Sequence, residues 1–125
     1  MVWSVRDDGG PPPLYDHCLA HFTIKMHHGG RLEGSNYVDG SFGFIDYCDE
    51  DEIGIIELSN MAIDLGITYS NDYYLRSNGY FTLIKSDVDA LRMCQLVGSR
   101  RVVDVYAVCN IVDVLLTQCS RVGRW

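Results

Sequence analysis

Apolar side chains recur at every second residue near the start of the chain, at Ala20, Phe22, Ile24 and Met26. The residues between them are polar and include Lys25. A period of two with aromatic and β-branched members predicts a half-buried strand over residues 20–28. Because neighbouring strand residues point to opposite faces, Lys25 is expected on the outward face of this strand.

The residues that follow predict a hairpin. Gly29 and Gly30 turn the chain, and Arg31 to Glu33 can begin the return. Residues 37–47 predict a second strand, in which Gly40 and Gly43 indicate a bulge or a bend. We expect these first two strands to pair antiparallel.

The first helix is predicted from apolar residues at helical spacing, namely Leu58, Met61, Ala62 and Leu65. Gly54 and Glu57 fit the N-cap and N3 positions, and Gly66 fits the position that follows the helix.

The second helix is predicted to begin after Ser86, with Asp89 at N3 and its carboxylate facing back. Val88, Leu91 and Cys94 or Gln95 would form its apolar face, and Gly98 would end it.

Three more strands complete the pattern. Residues 72–75 and 80–84 are short β-rich segments separated by the turn Ser77-Asn78-Gly79. Residues 102–108 are almost all apolar and predict a buried central strand. The element order favours an α+β fold, a mixed sheet of about five strands with two helices on one face. The same order occurs in the ubiquitin-like β-grasp fold.

Length and composition set the domain organisation. The chain has 125 residues, which fits one domain. Residues 1–19, rich in Gly and Pro, are expected to be a flexible leader, from which Trp3 and Leu14-Tyr15 could still dock on the domain. Residues 20–109 form the expected domain. Residues 110–125 are expected to be a tail, either an amphipathic helix or an extension.

The charge balance limits the partners. With 17 acidic and 10 basic side chains the net charge is −7, which argues against binding to nucleic acid. The longest apolar-rich stretch, residues 102–116, is too short and too charged to span a membrane. We therefore expect a cytoplasmic or nuclear protein.

No residue pattern predicts an enzyme or a cofactor. The five cysteines are widely spaced without a CxxC motif, which predicts free thiols that act as small buried hydrophobes. His27 and His28 point to opposite faces of a strand, which disfavours a shared zinc ion. A nucleophile pair of Cys48 or Cys94 with His28 is a minor alternative.

Six segments, in order, carry a resemblance to a known family. They are HFTIKMHHGG at 21–30, YVDGSFGFIDYCDEDE at 37–52, IIELSNMAIDLGI at 55–67, DYYL at 72–75, LIKSDVDALRMC at 83–94 and RVVDVYAV at 101–108. Together they resemble the plant Phox/Bem-like (PB-one-like) domain found at the N-terminus of Mutator-type transposase-like proteins.

The resemblance implies a protein–protein interaction module, not an enzyme, in which a basic face of one copy pairs with an acidic face of another. Lys25 matches the lysine on the first strand of the family, and Asp87 and Asp89 match the end of its acidic motif. The turn at 76–79, usually rich in carboxylates, has none here.

Further charges could extend both faces. Arg31, and also Arg76 and Lys85, could add to the basic side. Asp49, Glu50, Asp51 and Glu52 offer a second acidic patch, although a solvated entry to the first helix is the favoured explanation of this run.

The functional expectation is a module that self-associates or binds another protein. The alternative is a transposase-derived regulatory or toxic microprotein, which would occupy a partner or act through residues 110–125.

Overall fold

The computed structural model describes residues 3–15 and 20–110 as eight strands, two α-helices and one short 3-10 helix. The strands are β1 Ser4–Val5, β2 His21–His28, β3 Arg31–Glu33, β4 Asn36–Val38, β5 Ser41–Asp49, β6 Asn71–Ser77, β7 Tyr80–Leu83 and β8 Val102–Cys109. The helices are α1 Ile55–Asp64, α2 Asp87–Met93 and the 3-10 helix Cys94–Leu96. The tail predicted at 110–125 lies outside the described residues, except for Asn110.

Six strands form one mixed sheet in the order β1-β5-β2-β8-β6-β7. β2 pairs antiparallel with β5 and parallel with β8, and β8 pairs antiparallel with β6. The α+β prediction is confirmed, and the architecture is consistent with a ubiquitin-like β-grasp. Five of the six strands are those that the sequence predicted. The sixth, β1, comes from the N-terminal segment.

The core lies between the sheet and the helices. Phe22, Ile24 and Met26 of β2 are fully buried there and share one apolar cluster with Leu58 and Met61 of α1. β8 contributes Val103, Val105 and Ala107 from its alternate positions, while Asp104 between them is exposed. Removal of these apolar side chains from water fixes which face of each strand points inward.

The α1 helix ends as its sequence predicts. Gly66 has φ +91°, the Ile67 N–H donates to the Ala62 carbonyl (3.0 Å), and the Gly66 N–H donates to the Ile63 carbonyl (2.9 Å). This is a Schellman motif, in which glycine relieves the steric cost of the left-handed conformation. A two-residue turn, Asn78-Gly79, joins β6 and β7 with both residues at positive φ.

The apolar face predicted for α2 is wrong. Val88 and Leu91 are 61% and 50% exposed, and the buried residues on this part of the chain are Ala90, Met93 and Val97. The helix start was predicted correctly, because Ser86 accepts a hydrogen bond from the Asp89 N–H. The short Ala90 side chain lets α2 approach the core closely. The 3-10 helix that follows continues the buried side of α2 as far as Val97.

The strand predicted at 37–47 is divided in two. β4 pairs with β3 in a separate two-stranded sheet, and β5 joins the main sheet. The Tyr37 hydroxyl donates to the Ala107 carbonyl (2.8 Å) and accepts from the Gly30 N–H (2.9 Å). A Cβ at Gly40 would lie 2.4 Å from the Tyr37 ring, so glycine is needed for this hairpin to fold against β8.

The bulge in β5 lies at residues 46–47, not at Gly40 or Gly43. Phe22 pairs with Cys48 and Ile24 with Ile45, so two residues of β5 oppose Thr23. Tyr47 has φ +62° at this point. The bulge places Asp46 beside Thr23, whose hydroxyl donates to Asp46 Oδ1 at 2.8 Å.

The N-terminal segment is attached to the sheet at several points. β1 pairs with β5, and Trp3 donates from Nε1 to Asp64 Oδ2 (2.8 Å). The Arg6 guanidinium donates to both oxygens of Asp46, at 2.7 and 2.9 Å. Tyr15 bonds to Thr23 Oγ1 at 2.6 Å and accepts from the Tyr47 N–H at 3.0 Å. Trp3 and Tyr15 therefore dock on the domain, as expected, but Leu14 does not, because it is 82% exposed.

The expectation of five free thiols needs a correction. Cys48 and Cys94 are free, but Cys109 is disulfide-bonded. Cysteine spacing alone could not show this pairing, because a disulfide depends on which residues the fold brings together. No helix in the described ranges is long and apolar enough to cross a membrane.

We expect Arg6→Ala to lower the free energy of unfolding by about 3 kcal/mol, because it leaves the Asp46 carboxylate buried without its countercharge. The two side chains are only 13% and 6% exposed. Urea denaturation monitored by circular dichroism measures the change.

Arg31→Ala is the matched control, since Arg31 forms ion pairs with Glu33 and Asp39 but is exposed. Its effect should be much smaller. An equal decrease in the free energy of unfolding for the two variants would show that the Arg6–Asp46 pair stabilises the fold no more than an exposed ion pair does.

Candidate functional site

Lys25 lies on the face of the sheet opposite the helices, as the alternation of β2 predicted. Its partners across the two neighbouring strands are Phe44 in β5 and Asp104 in β8. The Lys25 Nζ lies 4.1 Å from the centroid of the Phe42 ring. Lys25 as a residue is half-buried, and its ammonium lies over an aromatic ring, which favours a fixed position through a cation–π interaction.

A groove of about 600 Å³ surrounds Lys25. We call it the basic groove. Its lining residues are Arg6, Pro12, Lys25, Phe44, Val97, Gly98, Ser99, Arg100, Val102 and Asp104. Lys25 and Arg100 form no ion pair or hydrogen bond within the described part of the chain. Their charges are therefore available to a ligand.

Two carboxylates lie close to the cations of the basic groove, and both have partners. Asp46 is buried against Arg6 and Thr23. Asp104 Oδ1 lies 2.8 Å from His27 Nε2, and this hydrogen bond lowers the pKa of Asp104. The opposite charges of Arg6 and Asp46 cancel. The two positive charges of Lys25 and Arg100 then exceed the single negative charge of Asp104, so the groove carries a small excess of positive charge.

Arg31 does not lie with Lys25. It begins β3 in the separate hairpin, where its guanidinium contacts the carboxylates of Glu33 and Asp39. These hydrogen bonds, first to Asp39 and then to Glu33, raise the pKa of Arg31. Lys85 lies elsewhere too, directly before α2, with its N–H bonded to Asp89.

Asp87 and Asp89 stabilise helix starts. Asp87 Oδ1 accepts from the Ile55 N–H at 3.0 Å, so a carboxylate of α2 caps the N-terminus of α1. Asp89 Oδ2 accepts from the Lys85 N–H at 2.9 Å, as its N3 position predicted. Negative charge is favourable at both places because the exposed N–H groups carry partial positive charge.

Gly54 explains how Asp87 reaches α1. A Cβ on Gly54 would lie 2.8 Å from Asp87 Oδ1 and 2.7 Å from Glu57 Oε1. The absence of a side chain leaves room for the Asp87 carboxylate. The N-cap role predicted for Gly54 is confirmed, but the cap that satisfies the Ile55 N–H comes from the other helix.

The patch Asp49 to Glu52 leads into the same helix start. Asp49 Oδ1 accepts from the Asp51 N–H (2.9 Å), and Glu50 lies 3.5 Å from Arg101 Nη2. The side chains of Asp51 and Glu52 are exposed and have no hydrogen bond or ion pair within the described residues.

The structure therefore brings two separate sequence motifs together. The Asp87 contacts with Gly54 and Ile55 place the start of α2 beside the end of the 49–52 patch. We call residues 49–52, Glu57, Asp87 and Asp89 the acidic surface. Glu57, Asp87 and Asp89 belong to the two helices, whereas Lys25 lies on the face of the sheet that the helices do not cover.

Sequence inspection missed Arg100 and Phe44 as groove residues, and Phe42 as the ring that the Lys25 ammonium contacts. Phe42 and Phe44 alternate along β5, and that pattern could have placed them on the face of Lys25. Nothing local in the sequence indicates that Arg100, in a loop, meets Lys25.

Neither a cysteine–histidine nucleophile pair nor a zinc site at the histidines gains support from the structure. Burial raises the pKa of the Cys48 thiol to about 12 and that of Cys94 to about 11, which disfavours a reactive thiolate. Burial also lowers the pKa of His28. Within residues 3–15 and 20–110, no three metal-ligating side chains group together.

A family model for the PB1-like domain matches residues 19–109. The chain belongs to the PB1-like domain family. Domains of this family are protein–protein interaction modules, and that is the class of this chain. Comparison with curated proteins and with solved structures finds no match.

We expect Asp87→Ala to destabilise the fold by about 1 kcal/mol, the usual cost of a lost helix cap. The reason is that the Ile55 N–H loses its acceptor. Thermal and urea unfolding measure the effect.

Asp51→Ala is the control, because it removes an exposed carboxylate of the same surface that has no such bond. Its effect should stay within about 0.5 kcal/mol. An Asp87→Ala protein as stable as wild type would contradict the capping role.

Proposed function

We propose that the chain pairs through the basic groove of one copy and the acidic surface of another, in self-association or with another protein. The observation that carries the proposal is the position of Lys25 and Arg100 without ion-pair partners on one side of the sheet. Asp51 and Glu52, in the loop between β5 and α1, have exposed side chains that form no ion pair or hydrogen bond within the described residues. Charge complementarity between these two surfaces favours a second copy as the occupant.

A single exposed ion pair supplies only about 0.2–1 kcal/mol, so one bridge cannot hold two copies together. The basic groove offers more than one contact, since it combines two cations with the half-buried Phe44 ring and the buried Val97. Partial removal of water from these charges strengthens each ion pair. Binding should therefore require the groove as a whole.

The placement of the two surfaces also determines the kind of assembly. Because no residue belongs to both surfaces, one copy can use both at the same time. Such heterologous contacts produce rings or open chains rather than a closed two-fold dimer. We infer head-to-tail assemblies whose size grows with protein concentration.

The test compares molar masses in solution across a concentration series. Wild type should form oligomers, whereas Lys25→Ala and the double variant Asp51→Asn/Glu52→Gln should each lose most of that association. A mixture of the two variants should form a heterodimer and stop there, because only one intact groove and one intact surface can meet. Added salt should weaken all association, since the screening length is about 8 Å at physiological ionic strength.

Lys85→Ala is the matched control. It removes the same charge from an exposed lysine outside the groove, so association should persist. A wild-type monomer at every concentration, or equal behaviour of Lys25→Ala and Lys85→Ala, would contradict the proposal.

A second candidate is a microprotein derived from a Mutator-type transposase that acts by occupying a partner or through its tail. The family match stops at residue 109 and leaves residues 110–125 outside it, which is the observation that favours a separate role for the tail. Removal of residues 111–125 distinguishes the candidates. Pairing that survives this removal with unchanged affinity supports the first candidate, and loss of pairing in a folded protein supports the second.

A further inference from the structure

The N-terminal segment, residues 3–15, lies outside the family match but forms part of the basic groove. Arg6 and Pro12 line the groove together with Lys25 and Phe44. β1 pairs with β5, and the Arg6 N–H donates to the Phe44 carbonyl at 2.9 Å. These contacts hold the segment along the edge of β5. This position sets it directly beside the strand that supplies Phe44.

The course of the segment returns it to the same face. The Gly10 N–H donates to the Asp7 carbonyl at 2.8 Å, which closes a turn after Arg6. The chain then passes the groove at Pro12 and reaches Tyr15, which is fixed by Thr23 and the Tyr47 N–H. Anchors before and after Pro12 therefore hold that residue against the groove.

Arg6 also changes the charge of this face. Asp46 is a carboxylate on the same side of the sheet as Lys25, and without a countercharge it would oppose an anionic ligand. Arg6 donates to both Asp46 oxygens, and its guanidinium carbon lies 4.2 Å from the centroid of the Phe44 ring. The Arg6 Nη1 group has no hydrogen bond within residues 3–15 and 20–110, so it retains donors for a ligand.

We propose that the N-terminal segment is a wall of the binding groove, and that the groove formed by this segment and the PB1-like domain accepts the acidic surface of a second copy. The inference rests on the pairing proposed above and adds a contribution from outside the family domain. It assigns Pro12 to the interface and gives Arg6 the role of masking Asp46.

The direct test places a carboxylate on the wall. Pro12→Asp should weaken self-association by about tenfold, the loss expected for one unfavourable charged contact. Pro11→Asp is the matched control, because Pro11 is the exposed neighbour in the chain and does not line the groove. It should have little effect at physiological salt, and sedimentation equilibrium compares the two.

The outcomes separate this inference from the proposed pairing. If Lys25→Ala abolishes association while Pro12→Asp and Pro11→Asp behave alike, the pairing stands and the wall is refuted. If Pro12→Asp strengthens association, the segment competes with the partner and the wall is again refuted. If Lys25→Ala has no effect, the pairing itself fails.

A second variant pair tests the masking of Asp46. A chain lacking residues 1–12 should associate more weakly than wild type, and Asp46→Asn in that truncated chain should restore part of the loss. Circular dichroism verifies that both proteins fold. If either does not, Arg6→Gln in the full chain, with and without Asp46→Asn, provides the same comparison. Absence of any restoration would overturn the masking role.

Discussion

The alternation of inward and outward side chains along β2 is the constraint on which the position of Lys25 and the groove around it depend. Phe22, Ile24 and Met26 must be buried, and this turns Lys25 to the opposite face. The helices cover the apolar face, so the carboxylates at their N-termini lie in the helix layer. A shift of β2 by one residue would expose its apolar side chains and bury the lysine. The free energy of the core therefore keeps Lys25 on the face of the sheet away from the helices.

The carboxylates of the acidic surface differ in what they do. Asp87 accepts from the first N–H of α1, and Asp89 accepts from the Lys85 N–H just before the N-cap of α2. The side chains of Asp51 and Glu52 are exposed and form no hydrogen bond or ion pair within the described residues. Asp87 therefore holds the starts of α1 and α2 next to each other, whereas the carboxylates of Asp51 and Glu52 remain exposed and contribute no such bond.

Much of the fold could be predicted from local sequence patterns, and the features that were predicted wrongly or not at all have physical causes. The strand at β2, the helix around Leu58 and the turn at Asn78-Gly79 depend on residues close in sequence, which is why they were predictable. The apolar face of α2 and the bulge at Asp46 depend on tertiary packing. Arg100 and the N-terminal segment join the groove through contacts far apart in sequence. The positions of Lys25, Asp87 and Asp89 were predictable, but their surroundings were not.

The most direct measurement is a pair of nuclear magnetic resonance titrations with isotope-labelled variants. Labelled Lys25→Ala protein, mixed with unlabelled wild type, should show shifts at the acidic surface and none around the basic groove. Labelled Asp51→Asn/Glu52→Gln protein should show the reverse. Shifts on both surfaces in each titration, or shifts at neither, would contradict a pairing of opposite charges across two faces.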